Sequence, residues 1–351
     1  MAPRQGRRAA RPGDSSQGLS SRGQPRSHQG SSANSRGNRR SGTEAAKWRE
    51  AFDLLPSISR SGGDDGEGDT MKDYKVQDRY WQTMEEKISD HWKQYPDPSV
   101  RDDQARRERE SSLLLQMRKL REGILATNRK DSLALSVYES SFYLALCFNS
   151  SAQALASLPH LIDLYKRLLG EDTSASLTHI RSKVIVSCTI ALALHLLEAY
   201  PSQSSYFRFF NSISHLNMDK EGQELRWLTS LRKSLTMSNF SEFGRLTGTG
   251  HIISVLDHLP PEERLLPKAA LTTTMERLRS KLRDATWSII RVSYRELSLD
   301  SGVDTPSWLS RTLMFESNSE IIDSWMNRKA QEGHVAVKEG TETRYIVRKP
   351  V

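Results

Sequence analysis

The stretch GTGHII, residues 248–253, begins like a dinucleotide-binding loop, where glycines let the backbone approach a pyrophosphate. It has Ile253 where the third glycine should stand, and no strand precedes it, so it reads as a plain loop. Asp65, Glu67 and Asp69 alternate as calcium ligands do, but Thr70 follows them instead of Gly, and the closing Glu is missing. There is no phosphate-cradling G-x-x-x-x-G-K-[ST], no zinc-binding H-E-x-x-H and no G-x-S-x-G nucleophile elbow. The nine histidines are scattered; His195 ends an apolar helical run, and His179 and Cys188 would face different sides of their helix. Cys147 and Cys188 are the only cysteines and sit among apolar residues, as expected of two buried thiols in a reducing compartment. The pattern leads to the expectation of a protein that is not an enzyme and has no cofactor and no metal.

The other chemistry open to this chain is contact with polyanions. Lys+Arg 51 against Asp+Glu 43 gives a net charge of +8. Residues 1–40 carry nine arginines against Asp14, so that arm accounts for the whole excess and the remainder balances. A basic folded body is therefore excluded, and only local patches count. One patch lies near the C-terminus: Arg328, Lys329, Lys338, Arg344, Arg348 and Lys349. It could touch a phosphate backbone, giving weak RNA or DNA contact. Glu332, Glu339 and Glu342 are interspersed, which favours an ordinary solvated surface.

Positioning these residues requires an ordered frame, and composition divides the chain. Residues 1–43 are rich in Gly, Ser and Arg and nearly free of large apolar side chains, too few to offset ordering entropy. The arm, 1–75, reads as disordered: a solvated tail, a weak phosphate contact or a nuclear-import signal. It is interrupted at 43–56, where Trp48, Phe52 and Leu55 fall on one helical face. That face could dock a partner groove or pack on the protein's own body.

Residues 76–258 read as helix after helix, with short connections such as NRK, NSS and PSQ that make neighbours antiparallel. The apolar run 184–197 is too short for a membrane span, and no apolar leader opens the chain, so no membrane association is expected. Residues 259–351 differ. A long helix, 268–297, is followed by a helix opened by Thr305 as cap and Pro306, then a third helix stopped by Gly333. Val335 and Val337, then Tyr345 and Val347, alternate on either side of a turn at Gly340, as in a β-hairpin. The last strand would be an exposed edge, and Trp308 and Trp325 would hold the small core. The fold class is mostly α: an irregular right-handed helical-repeat array followed by a C-terminal winged helix. Glu320 and Asp323 on the third helix would repel phosphates, which argues against a DNA-reading regulator.

LLLQMRKLREGILATNRKDSLALSVYESSFYLAL, 113–146, resembles the Sac-three/GANP family, whose Q-x-R-x-x-R-x-x-I helix leads into one bearing V-Y-E. The matching residues are Gln116, Arg118, Arg121, Ile124, Val137, Tyr138 and Glu139. SNFSEFGRL, 238–246, is similar to the family's G-N-Y-x-x-F-F-R-L turn, with Ser238 for Gly and Gly244 for the second Phe. The resemblance implies a PCI-type scaffold of a nuclear complex in transcription-coupled mRNA processing or export, its partners other PCI-type subunits and a small acidic subunit. It implies a nuclear location, with the cytoplasm as a second one. The alternative within that class is a subunit of the proteasome-lid or COP-nine-signalosome type.

If the arm carries almost no core, deleting residues 1–70 should leave the melting temperature within about a degree or two. A calorimetric drop of ten degrees would contradict that reading.

Overall fold

The computed structural model describes residues 67–96, 103–171, 176–216, 218–219, 222–300, 302–315 and 319–349. The Trp48, Phe52 and Leu55 face and the rest of the arm before Glu67 lie outside the described residues. Among the described residues there are twelve α-helices and one three-stranded antiparallel sheet near the C-terminus.

A 3-10 turn, Glu67–Lys72, leads into α1, Tyr74–Gln94, then α2, Gln104–Ala126, and α3, Ser132–Cys147. Each of these three helices is opened by an aspartate. Asp73, Asp103 and Asp131 accept from the backbone N–H of Lys75, Ala105 and Ala134 at 2.8, 2.9 and 3.0 Å. Beyond α2 and α3 the chain turns at Asn128 and Asn149, both in the left-handed region at φ 52° and 57°. These caps make the short connections possible.

Next come α4, Ser151–Glu171; α5, Ser176–Ala199; α6, Ser204–Ser212; α7, Gln223–Thr236; α8, Phe240–Leu246; and α9, Thr249–Val255. Thus GTGHII opens a short helix and is not a loop, because burial of Ile252 and Val255 secures the turn. The helices α1 to α5 pack in sequence, each on the next.

The largest departure from sequential packing is α10, Leu265–Ser293, which returns to lie on both α3 and α5. That explains their composition. A helix apolar on every side must be covered on every side. Val186, Ile190, Leu192, Leu194 and Leu197 of α5 are all enclosed. Leu177–Ala199 is long and apolar enough to cross a membrane, longer than the run 184–197 suggested, but 72% of its apolar window is buried inside the protein. Gly123 on α2 serves a close approach: a Cβ there would lie 2.8 Å from the Met71 carbonyl oxygen.

The helix expected over 268–297 ends at Ser293. Tyr294 is extended, and Glu296–Ser298 forms β1. Three residues are too few for periodicity to separate helix from strand. Then follow α11, Thr305–Thr312; α12, Ser319–Gln331; β2, Val335–Val337; and β3, Arg344–Val347. Thr305 lies inside α11, with Asp304 in the cap position and no side-chain cap bond. The sheet order is β1-β3-β2, so β3 is central. Leu297 pairs with Tyr345, and Val335 with Val347.

Two hydrophobic cores divide within α10, beyond the boundary expected at 258/259. Leu271, Met275, Leu278 and Leu282 belong to the helical body; Trp287 and Ile290 belong to the C-terminal unit.

His91 is fully enclosed on α1, its ring 5.2 Å from Trp92 and 5.0 Å from Phe148. Burial, followed by Arg106 and Arg109, pushes its pKa down to about 4. The unfolded chain takes up the proton near 6.5 and the folded chain does not, so stability present above 6.5 is lost as pH falls towards 4. Urea melts at pH 7 and 4.5 should show the native chain losing about 2–3 kcal/mol more than His91→Phe. Equal losses would mean that His91 does not titrate between the two states.

Candidate partner interface

The C-terminal unit is built on a pair of indoles. Trp287 of α10 and Trp325 of α12 meet edge to face at 4.7 Å, and both are buried. The Trp287 Nε1–H donates to His334 Nδ1 at 3.2 Å, fastening α10 to the start of β2. Around them lie Ile290, Leu297, Leu309, Leu313, Ile322, Met326, Val335, Tyr345 and Val347. Trp325 therefore plays the core role expected of it, whereas Trp308 is half-buried against Tyr294 at 5.1 Å. Trp287 takes the place expected of Trp308. Its sequence context, DATWSII, reads as part of a continuous helix, so nothing local marks it as the link to a second core.

The expected basic residues do not act together. Lys329 is buried, bonded to Glu332 at 2.8 Å and set 5.4 Å from the Trp325 ring. It braces the core and is not available to a phosphate backbone. Lys338 reaches across the outer face to Glu296 at 3.0 and 3.1 Å. Arg344 donates to Asp300 at 3.0 Å, where Thr343, Ser298 and Arg344 together hold the Asp300 carboxyl down to about 2. Arg328, Arg348 and Lys349 are exposed.

Two cations escaped the sequence reading because they were assigned to a continuing helix. Arg291 donates to the Arg348 carbonyl at 2.9 Å, and the Arg295 carbonyl accepts from the Val347 N–H at 2.9 Å. The basic rim is therefore Arg291, Arg295, Arg348 and Lys349, where β1 begins and β3 ends. Only strand pairing brings 291–295 beside 348–349. Arg291 and Lys329, after burial, keep the His334 pKa below its ordinary value.

The sheet also offers hydrogen-bonding edges, though not at β3, which is paired on both sides. The Lys338 N–H donates to the Arg344 carbonyl, and Arg348 N–H to the His334 carbonyl, both at 2.9 Å. By antiparallel alternation, the backbone groups of Val335 and Val337 point away from β3. Val335 and Val347 face the core as expected, while Val337 and Ile346 are exposed at 48% and 46%. An open strand edge with exposed apolar side chains is suited to strand addition.

A second concavity of about 660 Å³ lies on the helical body, lined by Trp81, Trp92, Glu139, Lys183, Glu263 and Leu266 among others. At its base Glu139 accepts from Tyr165 Oη at 2.5 Å and from Lys183 Nζ at 3.2 Å, and Lys183 is 3.4 Å from Glu263. Burial pushes the Glu139 carboxyl up. These polar groups are consumed in joining α3, α4, α5 and the turn before α10. Cys147 and Cys188 are both buried and neither is in a disulfide, and burial pushes the Cys188 thiol up to about 12. Among the described residues no three His, Cys, Asp or Glu side chains gather as a metal-binding group. No protein-family model matches the sequence, and no curated protein matches it at a significant level.

Trp287→Ala should cost about 3–5 kcal/mol and unfold the C-terminal unit. Near-ultraviolet dichroism and proteolysis should show a loosened C-terminal unit. A variant that melts like the native chain would remove Trp287 from the core role.

Proposed function

We propose that this chain is a PCI-type, non-enzymatic scaffold subunit of a nuclear multiprotein complex in transcription-coupled mRNA processing or export. The observation that carries the reading is the order of the last elements: helix, strand, helix, helix, strand, strand, with β3 central and α10 continuous with a helical body. That order agrees with a winged helix mounted on a helical array. The sequential packing of α1 to α5 supports the array, and the return of α10 onto α3 and α5 makes it an irregular one.

The residues that carry the Sac-three/GANP resemblance are mostly structural. Gln116, Arg121, Ile124, Val137, Tyr138 and Glu139 are buried, and Glu139 joins three helices. Such positions support a shared frame more than a shared reaction. Lid-type and signalosome-type subunits use the same plan, so the complex is decided by its partners. A base-reading role is disfavoured by the exposed Asp323 on α12 and by the engagement of Lys329, Lys338 and Arg344 with acidic side chains.

In this reading the free edge of β2 takes a strand from a neighbouring subunit. Val337→Pro removes an outward N–H without touching the β2–β3 ladder, whereas proline at Tyr345 or Ile346 would break it. Affinity purification from nuclear extract with mass spectrometry should recover PCI-type subunits with the native chain. Val337→Pro should keep its melting temperature and lose most of that yield. Undiminished recovery would move the docking surface to the helical body; recovery of no PCI-type subunit would sink the scaffold reading.

A further inference from the structure

The junction between the helical body and the C-terminal unit holds a cleft of about 550 Å³ with an unusual charge balance. Three arginines from three helices line it: Arg245 of α8, Arg279 of α10 and Arg311 of α11. Glu242 is the one carboxylate among its lining residues, so the lining is net +2. Each guanidinium is held differently. Arg279 is buried, donating to Thr247 Oγ1 and to the Thr247 carbonyl, both at 2.8 Å, and it lies 3.4 Å from Glu276. Arg245 is forked onto Glu242 at 2.6 and 2.8 Å. The Arg311 side chain is exposed and makes no hydrogen bond or ion pair with any described residue.

The walls are close-packed. Gly244 lets α8 approach the C-terminal unit, since a Cβ there would lie 3.0 Å from Met314 Cγ. Next to the cleft, Arg283 donates to the carbonyls of Leu313 and Met314 at 2.9 and 3.2 Å and covers Phe315 at 4.6 Å. The junction thus surrounds one free guanidinium, Arg311, and two already oriented by their bonds, Arg245 and Arg279.

We propose that this cleft binds the phosphate of a phosphorylated serine or threonine presented by a partner peptide. A phosphomonoester carries about −1.5 to −2 charges at neutral pH, matching the net charge of the lining. Its terminal oxygens suit the free fork of Arg311, with the Arg245 and Arg279 charges beside it. A nucleic-acid backbone instead offers one charge per phosphate along an extended line and needs a basic track. The cleft, about 550 Å³, is a bounded pocket with room for a phosphorylated side chain and the backbone beside it, and three helices each bring one arginine to it. Because α8 belongs to the body and α11 to the C-terminal unit, a phosphate held there would also brace the two against each other. The site is separate from the β2 edge and does not depend on the scaffold reading.

The test is isothermal titration of the full chain at low ionic strength. The probes are a short Gly/Ala peptide with a central phosphoserine, its unphosphorylated twin and a single-stranded oligouridylate. The expected result is saturable binding of the phosphopeptide alone, weakened about tenfold or more by Arg311→Glu. Arg311 is exposed, so Arg311→Glu should melt with the native chain; Arg311→Ala repeats the test without adding a negative charge. Arg328→Glu, an exposed position on α12, should leave binding intact. Equal binding of the unphosphorylated twin, no saturable binding, or undiminished binding by both Arg311 variants would overturn the proposal. Oligouridylate binding that depends on Arg311, with no phosphopeptide binding, would overturn it in favour of a nucleic-acid site.

Discussion

A single long helix is the constraint on which the other elements depend. At 29 residues, α10 spans about 43 Å and has two partners along its length. Its first two thirds cover the faces of α3 and α5 that their sequence neighbours leave open, and both helices are largely enclosed. Its last two turns carry Trp287 and Ile290 into the second core. Because one rigid element serves both cores, the C-terminal unit is held at a set position on the body. The contact of α8 with α11 across Gly244 reinforces that position.

The body shows how buried polar groups can specify an arrangement. Glu139, Tyr143, Tyr165, Ser187 and Lys183 form one connected set spanning three helices. An unpaired carboxylate at that depth would cost several kcal/mol, so a slip of any one helix would be penalised by all of these groups at once. The network is better understood as registration of the helices than as a reaction centre.

On the C-terminal unit, most of the charge that looked available is engaged. Lys329, Lys338 and Arg344 each pair with a carboxylate, and Lys329 does so inside the core. The surviving basic rim is assembled from two segments some fifty residues apart, while the neighbouring β2 edge carries Val337. A surface with a short open edge and a modest basic rim suits a neighbour in an assembly better than a base-reading groove.

The helices of the body were legible in the sequence because their signals are local. The connections NRK, 128–130, and NSS, 149–151, bracket α3 to within a residue. The hairpin was legible too, through period-two alternation around Gly340. What the sequence could not disclose was every feature that depends on pairing between distant segments. The strand Glu296–Ser298 is defined by hydrogen bonds to residues near 345, and those bonds also make β3 central and move the free edge to β2. The convergence of Arg245, Arg279 and Arg311 has the same origin, since three helices must pack before their side chains share a cleft. By itself the sequence determined most of the helical segments and their apolar faces, since propensity, capping and periodicity act within a few residues, but it left GTGHII as a loop and carried the 268–297 helix past Ser293. Only the tertiary structure decided which charges are engaged and which edge is open, because these follow from long-range packing, which local patterns do not encode.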